Sequence, residues 1–379
     1  MSDTPVTYAE VDLGAIAHNI RAIQRHIGPD VMLIAVLKAN AYGHGALMVA
    51  QTALQQGVQR LGVARPDDGS YLRANGIRVP ILVMNYTSGR DLKTALDHDL
   101  LLSVTENHIA EQLSALGEAR GRPALVHVKV DTGMGRFGLL PDEVLPFVER
   151  LARLPGLVIE GIYSHFAVSD LADKSYTRQQ FATFQQVLAA LEAAGHRIPI
   201  RHIANSGATL DLPETHLDAV RVGVALYGLP PSSEVAPAVL LRPALSLKSR
   251  VARVRTLPAG SSISYGRTYI TARPTPVALV PVGYGDGYHR ILSNRGAVLI
   301  NGQRAPIVGR VCMDQFVVDV SEAGDVRVDD EVVLLGCQGD TSITAEEIAA
   351  WADTINYEVT TGLLPRVPRL YTGDARARE

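Results

Sequence analysis

The sequence has few of the residues that mark disulfide-stabilised or zinc-binding proteins. Two cysteines occur among 379 residues, Cys312 and Cys337, and neither belongs to a CxxC pair. They provide no disulfide framework and no zinc knuckle. We therefore expect a protein of a reducing compartment without a metal centre.

Targeting segments and long apolar runs are also missing. Residues 1–20 contain no basic n-region, no apolar h-region and no small-residue cleavage site, so they do not form a secretory signal. The longest aliphatic runs, such as residues 31–37, are far too short to span a bilayer. We expect a cytoplasmic protein that makes no membrane contact.

The chain also lacks an excess of charge of either sign. It has 36 Lys and Arg against 39 Asp and Glu, a formal net charge of −3. This balance argues against a dedicated nucleic-acid binder. Apolar residues make up 47% and charged residues 20%, which allows a sizeable core, and the length suggests two or three domains.

What the sequence does have is a regular alternation of apolar runs and helical segments. Continuous apolar strands separated by helices predict a parallel sheet that helices cover. Eight such units match a (β/α)8 TIM-type barrel, and a doubly wound open sheet is the alternative. The even count and uniform spacing favour closure. The eight runs are residues 31–37, 60–64, 80–84, 100–105, 124–130, 157–163, 200–204 and 219–222.

The pattern changes to strands and turns after a Pro- and Ser-rich linker at residues 230–237. Asn301-Gly302 is a hairpin signal, and a helix is expected at 345–355 with Thr344 as its N-cap. Residues 282–288 (VGYGDGY) superficially resemble a dinucleotide loop, but no helix follows, so we interpret them as a turn. The predicted strands are 251–255, 277–281, 297–300, 307–311, 315–320 and 331–335.

The chain is therefore predicted to be an α/β protein with an N-terminal barrel and a C-terminal mainly-β domain. We place the barrel at residues 12–237 and the β domain at 238–379. The first eleven residues are a candidate extra strand of the second domain.

Polar residues gather where the active site of such a barrel lies, at the carboxyl ends of its strands. Each residue type also has a simpler structural explanation. A lysine there is often a solvated boundary residue, a histidine is often structural, and an asparagine is often a helix cap. Together they suit a cofactor with an aldehyde and a phosphate, because lysine forms Schiff bases and helix N-termini bind phosphate. Pyridoxal 5'-phosphate (PLP) is the obvious candidate. These residues are Lys38, the 131–138 loop, His165, Asn205, Ser206 and Arg221, the last placed to face the pyridine nitrogen.

Several motifs, in order and across nearly the whole chain, closely resemble those of bacterial alanine racemases, which are PLP-dependent enzymes of fold-type III. The motifs are VLKANAYGHG around Lys38, KVDTGMGRFG at 129–138, ISYGRTY at 263–269, PVGYGDGY at 281–288, VGRVCMDQ at 308–315 and INYEVTTGLLPRVPRLY at 355–371.

The resemblance implies roles for the reacting residues. Lys38 matches the Schiff-base lysine, which is also one of two proton-transfer groups, and Tyr265 matches the second, which the partner subunit contributes. Arg221 matches the arginine at the pyridine nitrogen, with His165 beside it. Lys129 matches a lysine that is carbamylated in many members. We expect Lys129 and Arg136 to be two buried cations, which a carbamate on Lys129 would convert to an ion pair.

The resemblance also implies binding residues. Those matching the phosphate set are Tyr42, Ser206, Gly223, Val224 and Tyr357, with Asn205 at the same junction. Those matching substrate contacts are Arg136, the Met313 backbone and Tyr284. Departures are small: Val222 and Val224 replace the usual Pro and Ile, and Gly285 replaces a frequent Ala.

The implied function is interconversion of L- and D-alanine by two-base proton transfer, supplying D-alanine for peptidoglycan. The implied assembly is a homodimer with active sites shared between subunits. A racemase of broader specificity, a non-catalytic PLP-binding protein and a PLP-dependent decarboxylase of basic amino acids are the alternatives.

Overall fold

The computed structural model describes residues 4–235 and 238–373, which form two compact units. The first unit contains residues 15–41 and 45–242, and the second contains 4–14, 42–44 and 243–373. Positions 236 and 237 of the predicted linker, and positions 1–3 and 374–379 of the predicted domains, lie outside the described residues.

The first unit is built around a closed barrel of eight parallel strands. Strand β1 (Tyr8–Asp12) belongs to the second unit. The barrel strands are β2 (Met32–Val36), β3 (Arg60–Val63), β4 (Ile81–Val83), β5 (Leu101–Val104), β6 (Ala124–Lys129), β7 (Leu157–Tyr163), β8 (Ile200–His202) and β9 (Ala219–Val222). Each pairs with the next, and β9 pairs with β2 to close the ring. The predicted barrel is confirmed, and the open sheet is excluded.

Helices alternate with these strands. Strands β3, β4 and β5 are buried at every residue, as expected for strands covered on both faces. None of the helices in the described part of the chain is long and apolar enough to cross a membrane. The helices are α1 (Leu13–Ile27), α2 (Lys38–Tyr42), α3 (Ala46–Gln55), α4 (Pro66–Ala74), α5 (Leu92–Asp97), α6 (Asn107–Ala119), α7 (Pro141–Leu151), α8 (Ser175–Ala193) and α9 (Ser206–Asp211).

The second unit is mainly β, as predicted. Its strands after β1 are β10 (Leu245–Arg250), β11 (Arg253–Leu257), β12 (Ser262–Ile263), β13 (Tyr269–Ile270), β14 (Thr275–Val280), β15 (Ala297–Ile300), β16 (Gln303–Pro306), β17 (Phe316–Asp319), β18 (Glu331–Gln338), β19 (Thr341–Ile343) and β20 (Arg369–Thr372). Two helices, α10 (Ala345–Ala352) and α11 (Asn356–Thr361), precede β20.

These strands form a large mixed sheet and two smaller elements. The large sheet has the order β16-β15-β18-β10-β1-β20, with β19 on β18. Strand β1 is antiparallel to β10 and parallel to β20, so the chain start is paired on both sides. A three-stranded sheet, β11-β14-β17, and the β12-β13 hairpin complete the unit.

The N-cap and the hairpin turn predicted in this unit are both confirmed. The Thr344 hydroxyl accepts the Glu347 N–H at 3.1 Å and caps α10. Asn301 and Gly302, with φ of 52° and 73°, join β15 to β16 as a hairpin.

Two predicted strands of this unit are wrong. The 251–255 strand is displaced, because the chain leaves the large sheet after β10 and enters the small sheet at β11. Strand β10 was missed because only two of the six residues in LSLKSR are apolar and one of its buried positions is the polar Ser249. The 307–311 strand is reduced to a single bridge from Ile307 to Val318, and Gly309 at φ 85° turns the chain away.

Candidate active site

Lys38 lies two residues after the end of the first barrel strand, β2, and begins a left-handed turn. Ala39, Asn40 and Ala41 have φ between 52° and 54°, a conformation that costs non-glycine residues roughly 1–2 kcal/mol each. The Asn40 side chain accepts the Ala46 N–H at 2.8 Å, and the Asn40 carbonyl accepts the Gly45 N–H at 2.9 Å. These contacts hold the strained turn and therefore fix the backbone from which Lys38 projects.

The amine of Lys38 lies in an unfavourable environment for positive charge. Although the residue keeps solvent access, the surrounding protein desolvates the amine, and the charges of Arg136 and Arg221 add repulsion. The pKa of Lys38 is consequently lowered from its ordinary value. A lowered pKa increases the neutral fraction, which is the nucleophilic and proton-accepting form.

Arg221, on β9, is a buried cation at the centre of the barrel. Its Nη2 donates to the Ser164 and Ile203 carbonyls at 2.7 and 3.1 Å and contacts His165 Nδ1 at 3.1 Å. Its Nη1 donates to His202 Nδ1 at 2.7 Å. Burial lowers the pKa of Arg221 to about 10, so the guanidinium remains charged at neutral pH.

A chain of hydrogen bonds continues from Arg221 through the barrel interior. His202 Nε2 contacts His127 Nδ1 at 2.9 Å, and His127 Nε2 contacts Glu160 Oε2 at 3.0 Å. Glu160 also receives two bonds from Arg60, at 2.6 and 3.0 Å. Because Arg221 can donate but not accept, and the carboxylate can accept but not donate, we assign both imidazoles as neutral Nε2–H tautomers.

The pKa shifts agree with this assignment. Burial and the Arg221 charge lower the pKa of His202 well below its usual value. Burial also lowers the pKa of His127, although Glu160 opposes that effect. For Glu160, burial alone would raise the pKa, but the bonds from His127 and Arg60 outweigh it and lower the pKa to about 2.

Lys129, on β6, is buried beside the same centre. Its Nζ lies 4.3 Å from the ring centroid of Tyr163, and the Arg221 guanidinium lies 4.9 Å from that ring. Burial, Arg221 and Arg136 lower the pKa of Lys129 well below its usual value, while Asp131 opposes them. The neutral fraction of the Lys129 amine is therefore increased.

The expectation of two buried cations at Lys129 and Arg136 is wrong. Lys129 is buried, but Arg136 is exposed because it lies on the surface loop between β6 and α7. Its charge still lowers the pKa of Lys38, Lys129 and His165.

His165 follows β7 and contacts the Arg221 guanidinium. Burial and the charges of Arg221 and Lys129 lower the pKa of His165 well below its usual value. Its Nδ1 accepts a hydrogen bond from the guanidinium, so this imidazole is also neutral.

The residues expected at the phosphate divide between the two units. In the barrel unit, Asn205 caps α9 by accepting the Ala208 N–H at 3.1 Å, which confirms the helix cap. The Ser206 hydroxyl accepts the Gly223 N–H at 3.0 Å, and Val224 begins the adjoining 3-10 helix.

The remaining two phosphate residues belong to the second unit. The rings of Tyr42 and Tyr357 lie 6.1 Å apart. Burial and the neighbouring Tyr357 raise the pKa of Tyr42, so its hydroxyl stays protonated and able to donate a hydrogen bond.

The second unit displays the other predicted residues on its surface. Tyr265, Tyr284 and Met313 are exposed, by 73%, 41% and 54%. The Ser264 hydroxyl before Tyr265 donates to the Arg310 carbonyl at 2.7 Å, and the Tyr284 N–H donates to the Cys312 carbonyl at 3.1 Å. These contacts bring the three segments together.

Sequence reasoning missed the hydrogen-bonded chain behind Arg221 and the aromatic ring beside it. The missed residues are Arg60, His127, Glu160, Tyr163 and His202. A usable signal existed: His127 and Lys129 are two residues apart on β6, so both point to one side of an otherwise apolar strand.

We predict that Glu160→Gln destabilises the barrel in a pH-dependent manner. A carboxylate with a lowered pKa stabilises the fold above its unfolded pKa of roughly 4.3, and that stabilisation declines as the pH falls toward 2. Because Glu160 is partly exposed, we expect a loss of about 1–2 kcal/mol at pH 7 that shrinks below about pH 5. Denaturant unfolding of both proteins at pH 7, 5 and 3.5 measures it.

Glu111→Gln is the matched control, since Glu111 pairs with Arg150 on the surface, where ion pairs contribute little. A loss at Glu160→Gln that is equal at all three pH values would contradict the assignment.

The chain matches two family models that together cover most of its length. "Alanine racemase, N-terminal domain" matches residues 11–231, and "Alanine racemase, C-terminal domain" matches residues 244–371. Curated relatives have the same name. The alanine racemase of Desulforamulus reducens is 48% identical over 97% of this chain and 99% of its own. That of Symbiobacterium thermophilum is 50% identical over 97% of both chains.

Solved structures show the same relation. Alanine racemase from D-cycloserine-producing Streptomyces lavendulae superimposes with a TM-score of 0.93 at 41% identity, covering 98% of both chains. The Bacillus anthracis alanine racemase with bound L-Ala-P gives 0.93 at 40% identity, covering 100% of this chain and 98% of that one. This chain therefore belongs to the alanine racemase family.

Proposed function

We propose that this protein interconverts L-alanine and D-alanine with pyridoxal 5'-phosphate as its cofactor. Family membership over both units supports the reaction, and the Bacillus anthracis relative was solved with L-Ala-P bound. The observation that carries the proposal is the barrel arrangement itself. A lysine amine with a lowered pKa shares the barrel with a buried arginine that is charged at neutral pH.

The donor set fits the cofactor's chemistry. The Lys38 amine suits an aldehyde, and the Arg221 guanidinium suits a pyridine nitrogen. In the barrel unit, the Ser206 hydroxyl and the Val224 N–H beside the Asn205 cap would bind phosphate, and the Gly223 N–H would join them on leaving the Ser206 hydroxyl. Tyr42 and Tyr357 are proposed as phosphate ligands on the family resemblance alone. When bound, the cofactor supplies an electron-accepting ring that acidifies the α-proton of the amino acid.

Two bases are needed because the α-proton leaves one face and returns to the other. We assign Lys38 Nζ to one face and Tyr265 Oη to the opposite face. The lowered pKa of Lys38 increases the neutral fraction of its amine, which is the form that accepts a proton. Arg136 and the Met313 N–H would bind the substrate carboxylate, with Tyr284 at the entrance.

We further propose a homodimer in which Tyr265, Tyr284 and Met313 face the barrel of the partner subunit. Their exposure supports this, because clustered exposed aromatic and apolar side chains mark interaction surfaces. The enzyme would act in the cytoplasm, and the D-alanine that it forms would supply peptidoglycan synthesis. Expression in a D-alanine auxotroph tests that role, and an active enzyme that does not restore growth contradicts it.

Holoenzyme in deuterated water should convert either alanine enantiomer to the racemate. Because each base exchanges its proton with solvent, deuterium should enter the α-position as optical rotation decays. Proton NMR and polarimetry measure the two quantities. PLP binding without exchange would identify a non-catalytic PLP-binding protein. Release of carbon dioxide would identify a decarboxylase, and equal turnover of serine would identify a racemase of broader specificity.

Variants of the two bases should complement each other. Lys38→Ala should lose the visible absorption band of the lysine-bound cofactor, whereas Tyr265→Phe should keep it and lose racemisation in both directions. The remaining base of Tyr265→Phe should still exchange the α-proton of one enantiomer with solvent. Mixing the two inactive proteins should restore part of the activity, because a shared site then combines an intact Lys38 with an intact Tyr265. Equal α-deuteration of both enantiomers by Tyr265→Phe would refute the two-base assignment.

We also propose that Lys129 is carbamylated. A neutral, buried amine can bond to the carbon of CO2 and release one proton, which places a negative charge among Arg221, Arg136 and Lys38. Protein supplied with ¹³C-bicarbonate should show a carbamate carbon signal that Lys129→Ala lacks. An intact mass and NMR spectrum showing an unmodified Lys129 would contradict the proposal.

A further inference from the structure

The loop between β6 and α7 is organised around one carboxylate. Asp131 Oδ1 accepts the N–H groups of Gly133, Met134 and Gly135 at 2.9, 2.8 and 3.1 Å, and Oδ2 accepts the Arg136 N–H at 3.0 Å. Burial alone would raise the pKa of Asp131, but these four bonds outweigh it and lower the pKa. Asp131 is therefore charged at neutral pH.

The two ends of this loop are joined. The Leu139 N–H donates to the Lys129 carbonyl at 2.9 Å, and the Asp131 N–H donates to the Leu139 carbonyl at 2.8 Å. Gly138, at φ 140°, closes the turn where an added Cβ would lie 2.6 Å from the Asp131 nitrogen. With both ends fixed, the internal bonds to Asp131 determine the path of residues 133–136.

Helix α8 braces the same loop from outside. The Tyr176 hydroxyl donates to the Gly133 carbonyl at 2.9 Å. One turn later, Gln180 accepts the Ala167 N–H at 2.9 Å and donates to the His165 carbonyl at 3.2 Å. One face of α8 thus supports both the Arg136 loop and the His165 loop.

The position of Arg136 matters because its charge acts on the amines of Lys38 and Lys129 although its side chain is exposed. A long, exposed side chain has many rotamers, so its reach is set mainly by where its backbone is held.

We propose that Asp131 is a positioning residue for substrate: by binding the Arg136 N–H it holds the guanidinium where it can receive the alanine carboxylate. This inference rests on the proposed function. The oxygen that binds Arg136 is distinct from the one that binds the other three N–H groups, so the role can be separated from general loop stability.

Asp131→Asn tests the role, because the amide oxygen can keep the three bonds of Oδ1 while the NH2 group cannot accept the Arg136 N–H. We expect KM for L-alanine to rise about tenfold, with kcat within about twofold, as loss of one charged hydrogen bond of about 1.4 kcal/mol implies. The Kd of acetate for the holoenzyme, measured by calorimetry, should rise in parallel.

A double-mutant cycle tests whether the effect of Asp131→Asn on KM acts through Arg136. In an Arg136→Gln background, Asp131→Asn should add less than about twofold to KM, because the group that it positions is gone. If Asp131→Asn does not fold, Tyr176→Phe removes one external support of the loop and should raise KM by about threefold in wild type but not beside Arg136→Gln.

The matched control is Asp68→Asn, a carboxylate that accepts a single backbone N–H at the start of α4. Effects of Asp131→Asn that are additive with Arg136→Gln, confined to kcat, or equal to those of Asp68→Asn would overturn the inference. Absence of alanine racemisation in the wild-type protein would refute the proposed function instead, and acetate binding would still test the loop.

Discussion

The barrel interior contains more positive charge than negative charge. The hydrogen bonds and the pKa values of much of the site depend on that excess. Arg221 is buried and donates to two carbonyls and two neutral imidazoles. A buried cation is costly without such partners. The carboxylate of Glu160 is connected to Arg221 only through His202 and His127, and it is paired directly with Arg60, so the charge of Arg221 has no carboxylate beside it.

This arrangement favours the neutral forms of the neighbouring groups. Lys38, Lys129 and His165 all have lowered pKa values, and the charge of Arg221 contributes to each shift. A fixed cation beside bases with lowered pKa values favours anionic ligands. Phosphate, a carboxylate and a carbamate are all anions, so the three ligands inferred for this protein share one electrostatic cause.

The sequence predicted the parts of this site that depend on local pattern. Strand ends in a barrel lie on one face, so Lys38, His165, Ser206 and Arg221 could be assigned to one region from their spacing. The chain from His202 to Arg60 could not, because it joins single residues from four strands whose register the sequence does not specify. The left-handed turn after Lys38 was also unpredicted: KANAY contains no glycine, and its residues favour a right-handed helix.

Arg221 also bears on which reaction the cofactor would support. Its guanidinium keeps its proton at neutral pH, and its position is fixed by His202, whose tautomer is set by the chain to Glu160. It can therefore donate a hydrogen bond to a ring nitrogen without transferring a full proton. A ring that is not fully protonated withdraws electrons less strongly than one paired with an aspartic acid. Weaker withdrawal disfavours transamination relative to return of the proton to the α-carbon. The buried hydrogen-bond chain would thus promote reaction specificity as well as stabilise the barrel.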